Sequence, residues 1–532
     1  MTGFPKFSTS VELFANDGDR AARIVTARPP DGDLCSLKMC DLMLDMLQEC
    51  ANHELCGRQN DVPLPTRLID VESLRIIRTE GQSGRFAALS YCWGGATQTQ
   101  LTTSTLASLG NHIDLGALPQ SIQDAIRVAR SLSIKYLWVD ALCIVQDDTL
   151  DVSGQIGAMA GIYGNAYVTI VASSASCASE GFLHFRQVRK KSFNLPFRVS
   201  HQDFGIVVAQ KAFISSWVRT NDYIKSIEPI NERAWTLQEQ MLGNRLLLYA
   251  SDTLLWKCAT VTGSIDQSLC MYPSSLELYS ELKHSLYRDP ELAVSFWRHI
   301  LFDYTGRKAA RITDRLPAIA ALAERFEPQL GPYFAGLWER TLIKDLLWSQ
   351  TSIGAELRLE RKCQAPSWSW ASCKGQVSTN IRFHRVTPVC TILSIERKLK
   401  NALAPYGEVC GGSVTIRSKL LSAYAIVPNS DDSNEEFFLR EYYAYAVSFS
   451  DRSRPTSADS LPRTGVFRIH LDVREKTHVS GYVHLLSLSI WKAQACLVLA
   501  PAGPGLWHRI GVFHEVPKLN FEGVAEQEVT IV

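Results

Sequence analysis

The pattern of apolar and polar positions divides the chain into four stretches. Over residues 1–85, "SLKMCDLMLDMLQECANHELCGR" carries apolar residues at helical spacing and predicts an amphipathic helix ending near Asn52. "PTRLIDVESLRIIRT" alternates as a short strand or hairpin does. From 86 to 172, strand and helix take turns. "RFAALSYCW" is an apolar strand stopped at Gly94-Gly95. "LPQSIQDAIRVARSL" puts Ile122, Ala125, Ile126, Ala129 and Leu132 on one helical face, with Pro119 near its start. "KYLWVDALCI" predicts the next strand, "GQIGAMAGIYGNA" a helix weakened by glycine, and "AYVTIVAS" a third strand. "NERAWTLQEQML" then predicts a helix, and "RLLLYA" and "TLLWKC" two strands that close the unit at 257. Residues 258–365 read as mainly helical, with "DRLPAIAALAERF" the clearest segment. Residues 366–532 read as β-rich, with "VFRIHLDV" alternating as a half-buried strand does. "PNSDDSNEE" and "DRSRPTSADSLPRTG" predict polar loops.

Strand–helix–strand–helix–strand at this spacing predicts an α/β unit over 86–257, built on a parallel, doubly wound sheet. Ligands of such sheets sit beyond the carboxyl ends of the strands. Here those ends are Tyr91 to Gly95, Asp140 to Cys143, and Ala172 to Ser174.

Composition narrows the function classes. A chain of 532 residues is too long for one core and predicts two or three packed units. Hydrophobic content of 46% and charged content of 20% are those of a globular protein, and a net charge of +1 supplies no global field for nucleic acid. No apolar run reaches the roughly 18 residues a membrane span needs, and the N-terminal residues lack a secretory pattern. The 14 cysteines, spread along a long chain, point to reduced thiols and a cytoplasmic protein.

Four motifs carry candidate chemistry, each beside a structural reading. "SYCWGG" ends a strand in two glycines, so the backbone around Ser90, Tyr91, Trp93, Gly94 and Gly95 can approach an anion or a nucleotide, or simply turn. Cys92, with no base near it in sequence, reads as a buried structural thiol. Asp140, at a strand end, can bind a ribose hydroxyl pair or cap the next helix; Asp147 and Asp148 read as helix-start acids. In "NERAWTLQE", Glu232, Trp235 and Glu239 fall near one helical face. With Arg233 they can present an acid and a cation to a cleft, or form a buried Arg–Glu lock, and the lock is the favoured reading. "ECANHELC" spaces Cys50, His53 and Cys56 three apart, with Cys35 and Cys40 upstream. These are zinc-ligand types, but a tetrahedral site needs four and no second Cys-x-x-Cys pair follows. One helix face packing small thiols is the reading adopted, with no metal.

Taken together and in order, "ALSYCWGG", "LPQSIQDAIRVARSLSIKYLWVDALCIVQDD", "MAGIYGNAYVTIVASSA" and "RAWTLQEQML" resemble the fungal heterokaryon-incompatibility (HET) domain over roughly residues 86–240. "PTRLIDV" before them, and "DRLPAIAALA", "LLW", "APSWSWAS" and "RIGVF" after them, resemble the larger proteins that carry it. The resemblance implies non-self recognition and programmed cell death on fusion of unlike hyphae, acting by assembly with itself or a protein partner or by ligand binding. It also implies a distant likeness to Toll/interleukin-1 receptor (TIR) domains, hence a TIR- or flavodoxin-like sheet. Some TIR domains cleave NAD with a helical glutamate. The family pattern Asp-Trp-x-x-Glu, just before Met-x-x-Ile-Tyr, reads here "DVSGQ": Asp151 is kept, Val152 replaces the tryptophan and Gln155 the glutamate. A glutamine keeps shape but not charge, and losing one such electrostatic partner costs about 3–4 kcal/mol of transition-state stabilisation. The expectations are therefore an incompatibility effector or, alternatively, an NAD-cleaving hydrolase with Asp140 and Glu239 as its acids, or a non-catalytic scaffold.

Overall fold

The computed structural model describes residues 11–29, 31–56, 61–95, 99–186, 192–200, 202–211, 217–220, 223–226, 228–251, 253–265, 289–351, 365–379, 387–402, 404–425, 469–471, 481–490, 494–513, 521 and 523–532. The chain divides into two units, Met1–His284 and Ser285–Val532.

The first unit is organised by an eight-stranded mixed sheet. Its middle is four parallel strands: Leu246–Tyr249, Val168–Val171, Phe86–Ser90 and Tyr136–Trp138, in that spatial order. Phe86–Ser90, Val168–Val171 and Leu246–Tyr249 are buried at every position, the signature of strands covered on both faces. Antiparallel pairs extend both edges. Arg67–Asp70 and Arg75–Arg78 lie beyond the Tyr136 strand; Leu254–Lys257 and Thr262–Ser264 lie beyond the Leu246 strand. Sequence from before residue 86 thus shares the sheet with the central strands. In chain order the parallel strands run first to one side of Phe86–Ser90 and then to the other, so the order reverses between the Phe86 and Val168 strands.

Local chemistry explains the helices. Ser36 caps Leu37–Ala51 by accepting from Met39 N, and Met39, Met43, Leu47 and Cys50 form its buried face. Pro119 sits at the N-cap of Gln120–Ser131, whose Ile122, Ala125, Ile126 and Ala129 are buried as their spacing requires. Asp148 accepts from Leu150 N and Asp151 N and starts Thr149–Asn165 five residues before the first glycine-rich turn suggests. Asp147 instead pins a loop, accepting from Thr103 N and Oγ1 (2.8 and 2.6 Å).

Two elements differ from the sequence pattern. The expected strand "KYLWVDALCI" ends at Trp138, and Asp140–Cys143 is a helical turn in which Asp140 Oδ1 accepts from Ala141 N at 2.7 Å. A carboxylate at that point stabilises exposed amide donors and ends the strand early. The helix in "NERAWTLQEQML" starts at Ala234, because Arg233 takes an extended conformation. Glu232 therefore lies in the preceding 3₁₀ turn, exposed and off the helix face it was expected to share with Trp235 and Glu239.

The second unit has a helical part and a β part. Helices Pro290–Thr305 and Pro317–Leu330 enclose Trp297, whose ring meets Phe326 and Trp338 edge-on at 5.3 and 5.2 Å. Strands Gly481–Ile490, Gln494–Gly503, Leu506–Phe513, Glu526–Ile531 and Val409–Ala425 pair in sequence, and the last pairs back to the first, closing a barrel. Of the alternating stretch at 466–473, Ile469–Leu471 forms a strand; the expected polar loops at 428–436 and 451–465 lie outside the described residues. No described helix is long and apolar enough to cross a membrane.

Candidate functional site

The tips of the parallel strands carry buried polar groups. Ser90 ends the central strand fully buried, and its hydroxyl donates to Glu239 Oε2 at 2.5 Å. Tyr91 follows, buried, with its carbonyl accepting from Arg233 Nη1. Trp93 Nε1 donates to Asp140 Oδ2 at 2.8 Å, and the Tyr91 hydroxyl also favours the ionised Asp140. Tyr163, from the Thr149–Asn165 helix, donates to Leu89 O (3.1 Å) and presents its hydroxyl to Glu239; its ring meets Trp138 edge-on. Two strand tips and two helices thus converge on two acids, one guanidinium and two phenols. Trp93, Asp140 and Arg233 keep partial solvent exposure, whereas Ser90, Tyr91, Tyr163 and Glu239 are buried.

Burial works against the ionised form of both acids. Burial pushes the Glu239 carboxyl up to about 7; the Ser90 bond lowers it, the Asp140 charge raises it, and Arg233 and Tyr163 oppose the rise. Burial likewise raises Asp140, against Arg233, Trp93, the Ala141 amide and Tyr91. Glu239 is therefore near its midpoint at neutral pH, able to take or give a proton, while Arg233 offers a fixed positive charge to an anion. Cys92 faces away into apolar packing with Val171, Ile230 and Leu246, and burial lifts its thiol to about 11, which suits a structural residue.

The structure brings together Ser90, Tyr91, Trp93, Asp140, Arg233 and Glu239. Gly94 turns the chain beside them with φ of 76°, and Gly95 is exposed next to it. Gln155 lies elsewhere: two helical turns before Tyr163, buried, its amide donating to Thr66 Oγ1 at 3.2 Å. Its neighbour Asp151 is a structural anchor, taking Arg67 Nη2 and Val145 N (2.7 Å for the latter), while Arg67 Nε donates to Cys143 O at 2.8 Å. Tyr163 was not read from sequence as part of the site. Its signal was its place in the Ile-Tyr block, one residue after buried Ile162. A separate cavity of about 530 Å³ lies in the second unit, lined by Glu339, Arg340, Lys344 and Ile392 among others. It gathers no comparable set of perturbed groups, so the strand tips are the stronger candidate.

Residues 86–239 match the family model for heterokaryon incompatibility protein (HET). The match opens on the first residue of the central strand and closes on Glu239, so it contains the whole polar cluster. The chain therefore carries a HET domain over these residues. It is similar to heterokaryon incompatibility protein 6, OR allele, of Neurospora crassa, at 31% identity over 93 residues, covering 16% of this chain and 14% of that protein. The similar segment is thus a small part of either chain. No solved structure matches.

Proposed function

We propose that the chain is a cytoplasmic effector of heterokaryon incompatibility, whose HET domain turns recognition of an unlike partner into cell death when the crevice at Asp140 and Glu239 is engaged. The engaging species is a small anionic or ribosyl ligand, or a protein partner or second copy assembling over Trp93, Asp140 and Arg233. The observation that carries this reading is the meeting of a buried acid, Glu239, with a half-buried one, Asp140, beside the tips of parallel strands. Burial disfavours the ionised form of both, so they weaken the fold at neutral pH, and a purely structural site would be served as well by amides. The strand order adds support. Numbered along the chain, the parallel strands stand 2-1-3-4, as in flavodoxin-type doubly wound sheets, where ligands bind at the point of reversal. That order favours the TIR- or flavodoxin-like reading of the sheet. The test is induced expression of the full chain in a fungal host. Wild type kills, and Asp140→Asn, confirmed as folded, does not; death from both proteins at equal rates refutes the reading.

One observation favours a catalytic version. Breaking the nicotinamide–ribose bond of NAD sends the bonding electrons to nicotinamide and leaves positive charge on the sugar, which water then attacks. Here Glu239, held by Ser90 and titrating near neutral pH, would stabilise that charge, and Asp140 would hold ribose hydroxyls. In this version Glu239, not the position of Gln155, supplies the carboxylate. Release of nicotinamide by purified wild type, abolished in Glu239→Gln, supports it. No release at high protein concentration removes it and leaves the binding version.

A further inference from the structure

The end of the Leu37–Ala51 helix and the edge of the sheet meet at a second cluster, separate from the polar groups at the strand tips. Cys50 occupies the last turn of the helix. The chain then turns through His53 N→Cys50 O and Cys56 N→His53 O bonds, bringing His53 and Cys56 to the same side. Cys258, directly after strand Leu254–Lys257, arrives there from 205 residues beyond His53. One atom of each residue, three sulfurs and a ring nitrogen, lies within 4.8 Å of all the others. The Cys56 and Cys258 sulfurs each stand 3.6 Å from His53 Nδ1. Ligands at Zn–S of about 2.3 Å and Zn–N of 2.0–2.1 Å on a tetrahedron have S···N edges of about 3.6 Å. The three cysteines are free thiols.

A second observation points the same way. Arg245 is 1% exposed, and its Nε donates to Cys50 Sγ at 3.1 Å. Its two terminal nitrogens have no hydrogen-bond acceptor among the described residues. The guanidinium faces the Tyr167 ring, 5.2 Å from its centroid, but no carboxylate pairs with it among the described residues. Beside three thiolates around a divalent ion, a set of net charge −1, it has a counter-charge. The segment after Cys258 supplies further support: Val261 N donates to Cys258 Sγ at 3.2 Å, and the Thr260 hydroxyl lies 3.5 Å from Cys56 Sγ.

We propose that Cys50, His53, Cys56 and Cys258 form a structural zinc site that fastens the end of the first long helix to the sheet edge. All four ligands come from the chain, so no position is open to substrate. Binding converts three thiols to thiolates and releases their protons to solvent; the imidazole binds neutral through Nδ1. Three thiolates favour zinc over hard cations such as magnesium or calcium. The site corrects the packing reading of "ECANHELC": the fourth ligand is far away in sequence, so local spacing could not reveal it.

The experiment is elemental analysis of the purified full chain, produced with zinc in the medium. About one zinc per chain is expected, lost in Cys258→Ser and Cys56→Ser and kept in the control Cys410→Ser. Where a serine variant fails to fold, two measurements on folded protein decide. Cobalt(II) added to chelator-treated wild type should give the thiolate charge-transfer and tetrahedral ligand-field bands, and His53→Cys should keep the metal. Metal content that Cys258→Ser leaves unchanged, absence of both zinc and the cobalt bands, or a disulfide mapped between Cys258 and Cys50 or Cys56 would each overturn the assignment.

Discussion

Ser90 Oγ donates to Glu239 Oε2 across 149 residues of sequence, joining the tip of the central strand to the helix that leads into the Leu246 strand. The bond offsets only part of the price of burying the carboxylate, since Glu239 still titrates near 7 against an ordinary value of 4.5. Its pKa is raised in the folded state, so its contribution to stability is complete below about 4.5 and is lost as pH rises through about 7. The difference is on the order of 3 kcal/mol. Glu239→Gln should therefore be more stable than wild type above pH ~7 and about equal to it at pH ~4.5. Urea unfolding at both pH values checks this; a variant less stable at both would assign Glu239 to the scaffold.

Trp93 and the first glycine after it form one device. A Cβ on Gly94 would stand 2.5 Å from Cys177 Cβ, and the backbone there has φ of 76°; a Cβ on Gly95 meets nothing within 4 Å. Gly94→Ala should destabilise by about 2–3 kcal/mol and displace the indole from Asp140, whereas Gly95→Ala should stay within about 0.5 kcal/mol of wild type. Denaturant melts with tryptophan fluorescence distinguish the two. Equal effects would mean that the turn does not position Trp93.

Removing the indole donor tests the electrostatics directly. Trp93→Phe deletes a bond that favours ionised Asp140, so the Asp140 pKa, already raised by burial, should rise further. Carboxyl carbon NMR across the titration reads the shift, and a fall would place Asp140 in wetter surroundings than the packing indicates.

Arg67 and Asp151 provide the structural contrast. Arg67 is 5% exposed at its side chain, and breaking its pair with Asp151 leaves a buried charge. Asp151→Ala should destabilise by about 3–5 kcal/mol, with no change in the Glu239 titration. A mild effect on stability would mean that water reaches the pair.

The order of strands and helices from 86 to 172 was legible because the strands are mostly apolar runs and the helix Gln120–Ser131 has one apolar face. The parallel pairing of those strands followed from the helical crossovers between them. Less legible were features set by single side chains: Asp140 ending its strand early, and Arg233 breaking the chain before the helix of Glu239. Asp140, Ser90 and Arg233 could be singled out as strand-tip or helix-start residues. The meeting of Ser90 with Glu239, and of Cys50 with Cys258, is long-range and depends on how the sheet closes. Gln155 was placed by family pattern alone, and its partner Thr66 lies 89 positions away.

The central proposal is that the polar cluster of Ser90, Asp140 and Glu239 is where the HET domain acts. The most direct measurement is survival of fungal cells after induced expression of the full chain as wild type or Glu239→Gln, at matched protein levels. The account predicts death with wild type and growth with the variant, which folds at least as stably near neutral pH. Equal killing by the two proteins would contradict it.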